Sequence, residues 1–331
     1  MSVGDGSIGV MTQTTSIDIT GPYDLGEIAM MGFGHRDEHS FDGVMRMAFC
    51  LDGSYERQVG VAARQEGDRL DLEVLAEGDP LTADELRSLR EQVARVVSLD
   101  HDGDAFDRVC RADPVLAAVH ARGPGFRPAL FYSPYEAAVW SIVSARRARS
   151  QGIALRAKLA EQFGASFEVA GVRTLAVPTP SQLAAVDALP GLPADRIPRL
   201  HAIAEAAAAG RLDAGRLRAL PPDEAQTQLQ QLPGIGPFYS SLIVIRACGH
   251  ADVPAPAEGH ARAAIQQAYG TDHELSDAEL EVITEGWRPF RTWVTVMMRA
   301  LADRAIPVSD RARAGQYMLS LIHISEPTRR S

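Results

Sequence analysis

The segment LQQLPGIGPFYSSLIVIRA (229–247) has the residue types and spacing for a chemical task. Its pattern ends one helix at Leu232, turns through Pro233–Gly234–Ile235–Gly236 and starts a second helix. Glycines at 234 and 236 allow the backbone to turn and to approach another surface closely. The amides that open the second helix have no intrahelical partner, and the helix dipole is positive there. Such an end suits a phosphate. Bound this way, a phosphate positions the protein on DNA without reading sequence. The same spacing serves equally for a helical packing joint with no ligand. A second basic group, SARRARS (144–150), places Arg146, Arg147 and Arg149 where they either clamp phosphates or form a solvated turn.

Further stretches join the hairpin: SPYEAAVWSIVSARRA (133–148), GWRPFRTWVTVMMRAL (286–301) and SLDHDGDAFDRVCRADPVLAAVHARGPGFRP (98–128). Together they resemble the HhH-GPD superfamily of DNA base-excision glycosylases, and within it the bacterial 3-methyladenine glycosylase II (AlkA-like) branch. The resemblance covers about residues 20–318. It implies an aromatic-lined cleft between two helical subdomains that receives a base flipped from duplex DNA.

It also implies residue roles. Gly234, Ile235, Gly236 and Phe238 would contact the DNA backbone. The family's catalytic carboxylate follows the second hairpin helix. Counting without a gap through ADVPAPAEGHARAAIQQAYG (251–270) puts Glu258 there, in place of the usual Asp. A carboxylate suits the task because breaking a glycosidic bond develops positive charge on the sugar. Asp252, nearer the hairpin helix, reads as a cap or arginine partner. The wedge that fills the duplex after flipping falls at Arg146. The base pocket would draw on Phe238, Tyr239, Leu242, Trp140 and Arg299, because stacking holds a flipped base. Phe131, Tyr132, Trp287 and Trp293 are further aromatic candidates. Leu242 and Arg299 stand where the branch often has aromatics, which weakens the case for a cationic alkylpurine.

Bifunctional relatives use a hairpin lysine to form a Schiff base. The corresponding residue here is Phe238, and the only lysine of the chain, Lys158, lies in another helix. Monofunctional excision of a modified, alkylated purine follows as the expectation. The alternatives are a damage-binding protein without catalysis, or excision of a different lesion. No cofactor or catalytic metal is expected, apart from a monovalent cation on the Leu232 and Ile235 carbonyls. His260 follows Glu258 by two residues, so on a helix the two do not face each other.

The elements that must position these groups fall in two parts. Leu70, Leu72 and Val74 alternate with Asp71 and Glu73 as in a half-buried strand, with Tyr55, Val59 and Val61 suggesting its partner. ADELRSLREQVARVVS (83–98) then takes helical spacing. From about residue 111 helical segments alternate with Pro/Gly breaks. The predicted fold is α+β: a β-rich antiparallel domain (18–110), then an all-α helix-hairpin-helix core of two subdomains (111–318). Residues 1–17 read as a loose tail, with Met11 an alternative start. Leu319–Ser331 (LSLIHISEPTR and two further residues) resembles a translated sequencing adaptor and reads as foreign.

Composition narrows the class. The chain of 331 residues is 46% hydrophobic and 23% charged, ordinary globular usage. Its net charge of −10 hides an asymmetry. Residues 1–110 hold 22 acidic against 9 basic residues, net −13, and residues 111–331 hold 21 against 24, net +3. The second part is the one able to meet a polyanion. Cys50, Cys110 and Cys248 are scattered without CxxC spacing, which argues against a disulfide framework, a zinc site or an iron–sulfur cluster. The sequence carries no membrane span or secretory signal. Together with the family resemblance, which implies double-stranded DNA with a damaged base as the partner, a cytoplasmic monomer is expected.

Overall fold

The computed structural model describes residues 9–31, 40–254, 259–270 and 273–305. Glu258 and Leu319–Ser331, both singled out above, lie outside the described residues. The chain begins with β1 (Val10–Asp18), α1 (Leu25–Ala29), β2 (Met45–Cys50), β3 (Gln58–Glu66), β4 (Arg69–Glu77) and α2 (Ala83–Val96). The four strands form one antiparallel sheet of order β1-β4-β3-β2, with Val61 opposite both Val74 and Met47. The alternation of β4 does what it predicts: Leu70, Leu72, Val74 and Ala76 are buried and share a core with Leu89, Val93 and Val96 of α2. A capping box between Thr82 and Glu85 starts α2.

Two boundaries differ from expectation. Val10–Asp18, assigned to a loose tail up to 17, is an edge strand paired along its whole length with β4. Its Thr-rich residues are mostly exposed or half-buried, so it lacks the apolar alternation of an inner strand. Tyr55 is not in a strand. It has φ +60, donates its hydroxyl to Leu212 O at 2.7 Å and stacks on Tyr135 at 5.2 Å.

The helical part continues with α3 (Gly103–Ala112), α4 (Pro114–His120), α5 (Pro134–Ser144) and α6 (Arg149–Phe163). It is not all-α. A β-hairpin, β5 (Ala165–Val169) and β6 (Val172–Ala176), follows α6 and lies on the outer face of the sheet. Phe167 and Val169 pack there on Ala48 and Ala62. Gly60 in β3 permits the approach: a Cβ at that position would sit 2.7 Å from Phe167 Cβ.

Next come α7 (Pro180–Ala184), α8 (Ile197–Ala208) preceded by a 3-10 turn (Ala194–Arg196), α9 (Ala214–Ala219), α10 (Pro222–Leu229) and α11 (Pro237–Arg246). The described chain closes with α12 (Gly259–Tyr269), α13 (Asp277–Glu285) and α14 (Arg291–Ala305). These helices form two cores, as the expected pair of subdomains requires. One holds α5, α6, α8, α10 and α11. The other holds α3, α4, α12, α13 and α14, with Phe106 edge-on to Trp293 at 5.1 Å. Thus α3, placed by the sequence in the β-rich domain ending at 110, belongs to the second helical core. Buried Arg127 ties the parts together, donating to Ser98 O at 3.1 Å, Pro22 O at 3.1 Å and Thr20 O.

Candidate nucleic-acid interface and excision site

The hairpin joins α10 to α11. α10 ends at Leu229 rather than at Leu232, and Ile235 N–H closes the loop onto Leu232 O at 3.0 Å. Gly234 has φ +91, a conformation that an L side chain adopts only with strain. Gly236 caps α11 and offers no side-chain acceptor to its amides. Pro237 has no N–H, and the first helical bond runs from Ser240 N–H to Gly236 O at 2.9 Å. The Phe238 and Tyr239 amides therefore lead the helix, aimed where an anion is favoured.

The two glycines differ. Gly236 is extended, and a Cβ there meets nothing within 4 Å. Gly234→Ala is expected to cost about 1–3 kcal/mol of stability, because φ is strained and Ile142 Cδ1 would lie at 2.8 Å. Gly236→Ala should leave the melting temperature unchanged and still weaken binding to damaged and undamaged duplex equally. Unaltered affinity in that stable variant would make the hairpin a packing joint.

Aromatic residues stand at the start of α11. Phe238 is 65% exposed, and its ring meets that of Tyr239 edge-on at 5.2 Å. The Tyr239 hydroxyl is 3.5 Å from Ser144 Oγ at the end of α5. Burial raises the Tyr239 pKa, against the opposing effects of Ser144 and Arg196, so the phenol stays protonated. Leu242 is half-buried in the same core. Trp140 is 7% exposed and sits behind them against Phe131 at 6.4 Å. Arg299 is half-buried on α14, a helix of the other core. Phe131, Tyr132, Trp287 and Trp293 are core residues: Tyr132 packs on Phe49, and Trp287 donates its Nε1–H to Tyr269.

At the end of α5, exposed Arg146 has φ +56, a left-handed conformation rare for a side chain of this size. Arg149 is exposed at the start of α6, and Arg147 turns back to donate to Gly191 O at 3.0 Å. Arg196 and Arg199 on the neighbouring 3-10 turn and α8 were not singled out by sequence. They join this basic group through the fold: Arg196 donates to Ile142 O at 2.7 Å and Ala145 O at 3.0 Å. Only their Arg-Ile-Pro-Arg spacing was visible, and it does not tell which surface they meet.

Asp252 makes the arginine pair expected of it. Arg291 Nε lies 2.7 Å from Oδ1, and Arg288 Nη1 lies 2.9 Å from Oδ2. Lys158, on α6, donates its Nζ to Pro190 O at 3.2 Å. Among the described residues no cluster of His, Cys, Asp and Glu could hold a metal ion, and no helix is long and apolar enough to cross a membrane.

No family model matches the chain. It is 29% identical over 225 residues to the probable bifunctional transcriptional activator/DNA repair enzyme AlkA of two Mycobacterium tuberculosis strains. The match takes 65% of this chain and 43% of those proteins, so the chain spans less than half their length. Among solved structures it is similar to a 3-methyladenine DNA glycosylase from Archaeoglobus fulgidus, with TM-score 0.67, 22% identity, and 86% and 97% of the two chains covered. It is also similar to an 8-oxoguanine glycosylase/lyase from Clostridium acetobutylicum in complex with DNA, with TM-score 0.58, 16% identity, and 86% and 92% covered. The resemblance read from the hairpin is borne out, in sequence by the AlkA proteins and in fold by the solved glycosylases.

Proposed function

We propose that this chain is a monofunctional DNA glycosylase that flips a modified, alkylated purine from duplex DNA and hydrolyses its N-glycosidic bond. The observation that carries the reading is the 233–239 hairpin: a left-handed Gly234, an uncapped α11 and flanking arginines, on a glycosylase fold. The α11 amides take a backbone phosphate. Arg146, held left-handed at the end of α5, enters the duplex as the wedge, and Arg149 supports the strand. Phe238, Tyr239 and Leu242 offer one wall to the base, backed by Trp140, and Arg299 comes from the other subdomain. A monovalent cation on the Leu232 and Ile235 carbonyls would add positive charge beneath the phosphate; the Leu232 oxygen keeps a lone pair beside its bond to Ile235. Glu258 stabilises the charge that develops on the sugar or activates water. The protein acts as a monomer in the cytoplasm.

A panel of duplexes, each with one lesion, tests this directly. Release of a free base from an alkylated purine is expected. Tight damage-selective binding without release would replace excision by damage recognition, and release of another base would change the substrate. Strand chemistry is the companion test. The product should be an intact abasic site, cleaved only after alkali, because Phe238 occupies the lysine position and Lys158 is engaged elsewhere. A borohydride-trapped adduct mapping to Lys158 or to the N-terminal amine would overturn the monofunctional reading.

A further inference from the structure

The hairpin loop is built against α8. A Cβ at Gly234 would meet Arg199 Cδ at 3.1 Å and Arg199 Nη1 at 3.6 Å, so this guanidinium runs along the loop itself. Arg196, three residues earlier, spends its donors on the last carbonyls of α5. Arg147 arrives from the α5–α6 connection, with its Nε buried and without a hydrogen-bond partner. Three guanidiniums thus gather around Arg196, with that of Arg199 lying against the hairpin loop. Their mutual repulsion registers on Arg196, whose pKa is lowered by burial first and then by Arg147 and Arg199.

Little offsets this charge within the protein. Asp195 is the carboxylate that acts on Arg196, and it lies 3.3 Å from Arg199 as an exposed i,i+4 pair, of small worth. No Asp or Glu occurs anywhere in residues 225–251. Like charges gathered around a single exposed carboxylate are further relieved by an anion from outside. An anion held by Arg199 would lie beside the hairpin loop that leads into the α11 amides, because Arg199 runs along that loop.

We infer that Arg199, with Arg147 beside it, binds a second backbone phosphodiester of duplex DNA, adjacent to the phosphate over the α11 amides. Arg196 fixes the end of α5 and contributes field rather than hydrogen bonds. The inference rests on the DNA-binding reading above and adds Arg199, from α8, to a footprint that already holds Arg147. A strand gripped at neighbouring phosphates on one side of the wedge resists being dragged along when the target nucleotide swings out.

The test is the salt dependence of binding to a short undamaged duplex. Each lost phosphate contact flattens the slope of log K against log salt by about 0.9. Arg199→Gln should flatten it by about that amount and weaken binding about 5–10-fold at physiological salt. Arg199→Lys should keep the slope, because it keeps the charge. Asp195→Asn should tighten binding, since it removes the competing carboxylate. A folded Arg199→Gln protein with the wild-type slope would overturn the inference and leave Arg199 as the helix partner of Asp195. Wild-type protein that binds no duplex would instead remove the functional reading, and this inference with it.

Discussion

Glu258→Gln is expected to retain DNA affinity within a few-fold while excision falls by roughly 10²-fold or more. The substitution keeps the shape and removes only the charge. On the proposed reading affinity comes from phosphate contacts at the hairpin and the arginines, and none of these requires Glu258. The rate, on the same reading, depends on charge at the sugar, where the leaving base creates oxocarbenium character. Single-turnover kinetics on a duplex with one lesion measures the two separately. Alkylated purines leave readily, so they should show the smallest loss, and neutral bases the largest. Glu258→Asp is the sharper variant. It restores the family's usual residue but shortens the reach by one methylene. A site evolved around Glu should make Asp slower than wild type and faster than Gln. Equal rates for all three proteins would show that the acting carboxylate lies elsewhere.

The parts of this site that were legible in the sequence are those whose signal is local. The hairpin shows itself because Pro233, Gly234 and Gly236 punctuate two helical runs. β4 shows itself because one face is buried, and its alternation is therefore strict. Three other features escaped, each for a physical reason. β1 is an edge strand, so few of its side chains need be apolar, and TQTTS gives no periodic signal. The β5–β6 hairpin turns on Ala170 and Gly171, both at positive φ, the geometry of a primed turn. Its usual marker is Asn-Gly, and Ala-Gly conceals it. Arg196 and Arg199 reach the hairpin only through packing of α8 on α5, across more than 30 residues of chain. Composition announced many arginines, but only the fold says which converge. The aromatics show the converse: Trp287 and Trp293 stand in a stretch that resembles a glycosylase motif, yet their rings fill the second core.

Asp252→Ala is expected to be the most damaging single change to stability, while leaving excision by the folded fraction intact. Arg291 starts α14 and is 9% exposed along its side chain, with Nε and Nη2 both on the Asp252 carboxylate. Removing the carboxylate leaves a buried guanidinium with one carbonyl partner, Asp252 O at 2.9 Å. Stranding a buried charge in this way costs about 3–5 kcal/mol. Asp252 is 26% exposed, so water can reach part of the gap and the lower end applies. Arg288 is half-exposed and adds little. A loss of about 3 kcal/mol lowers the melting temperature by roughly 4 °C in a protein of this size. The double variant Asp252→Ala/Arg291→Met should recover much of that loss, because it removes the stranded charge and fills its place with apolar volume. A double variant no more stable than Asp252→Ala would show that the carboxylate matters as an acceptor for the Arg291 backbone N–H, 3.4 Å away, rather than as a counter-ion. If Asp252→Ala instead abolishes excision in a protein that melts like wild type, Asp252 is the carboxylate of the chemistry. In that case the count that places Glu258 at the sugar is out of register by six residues.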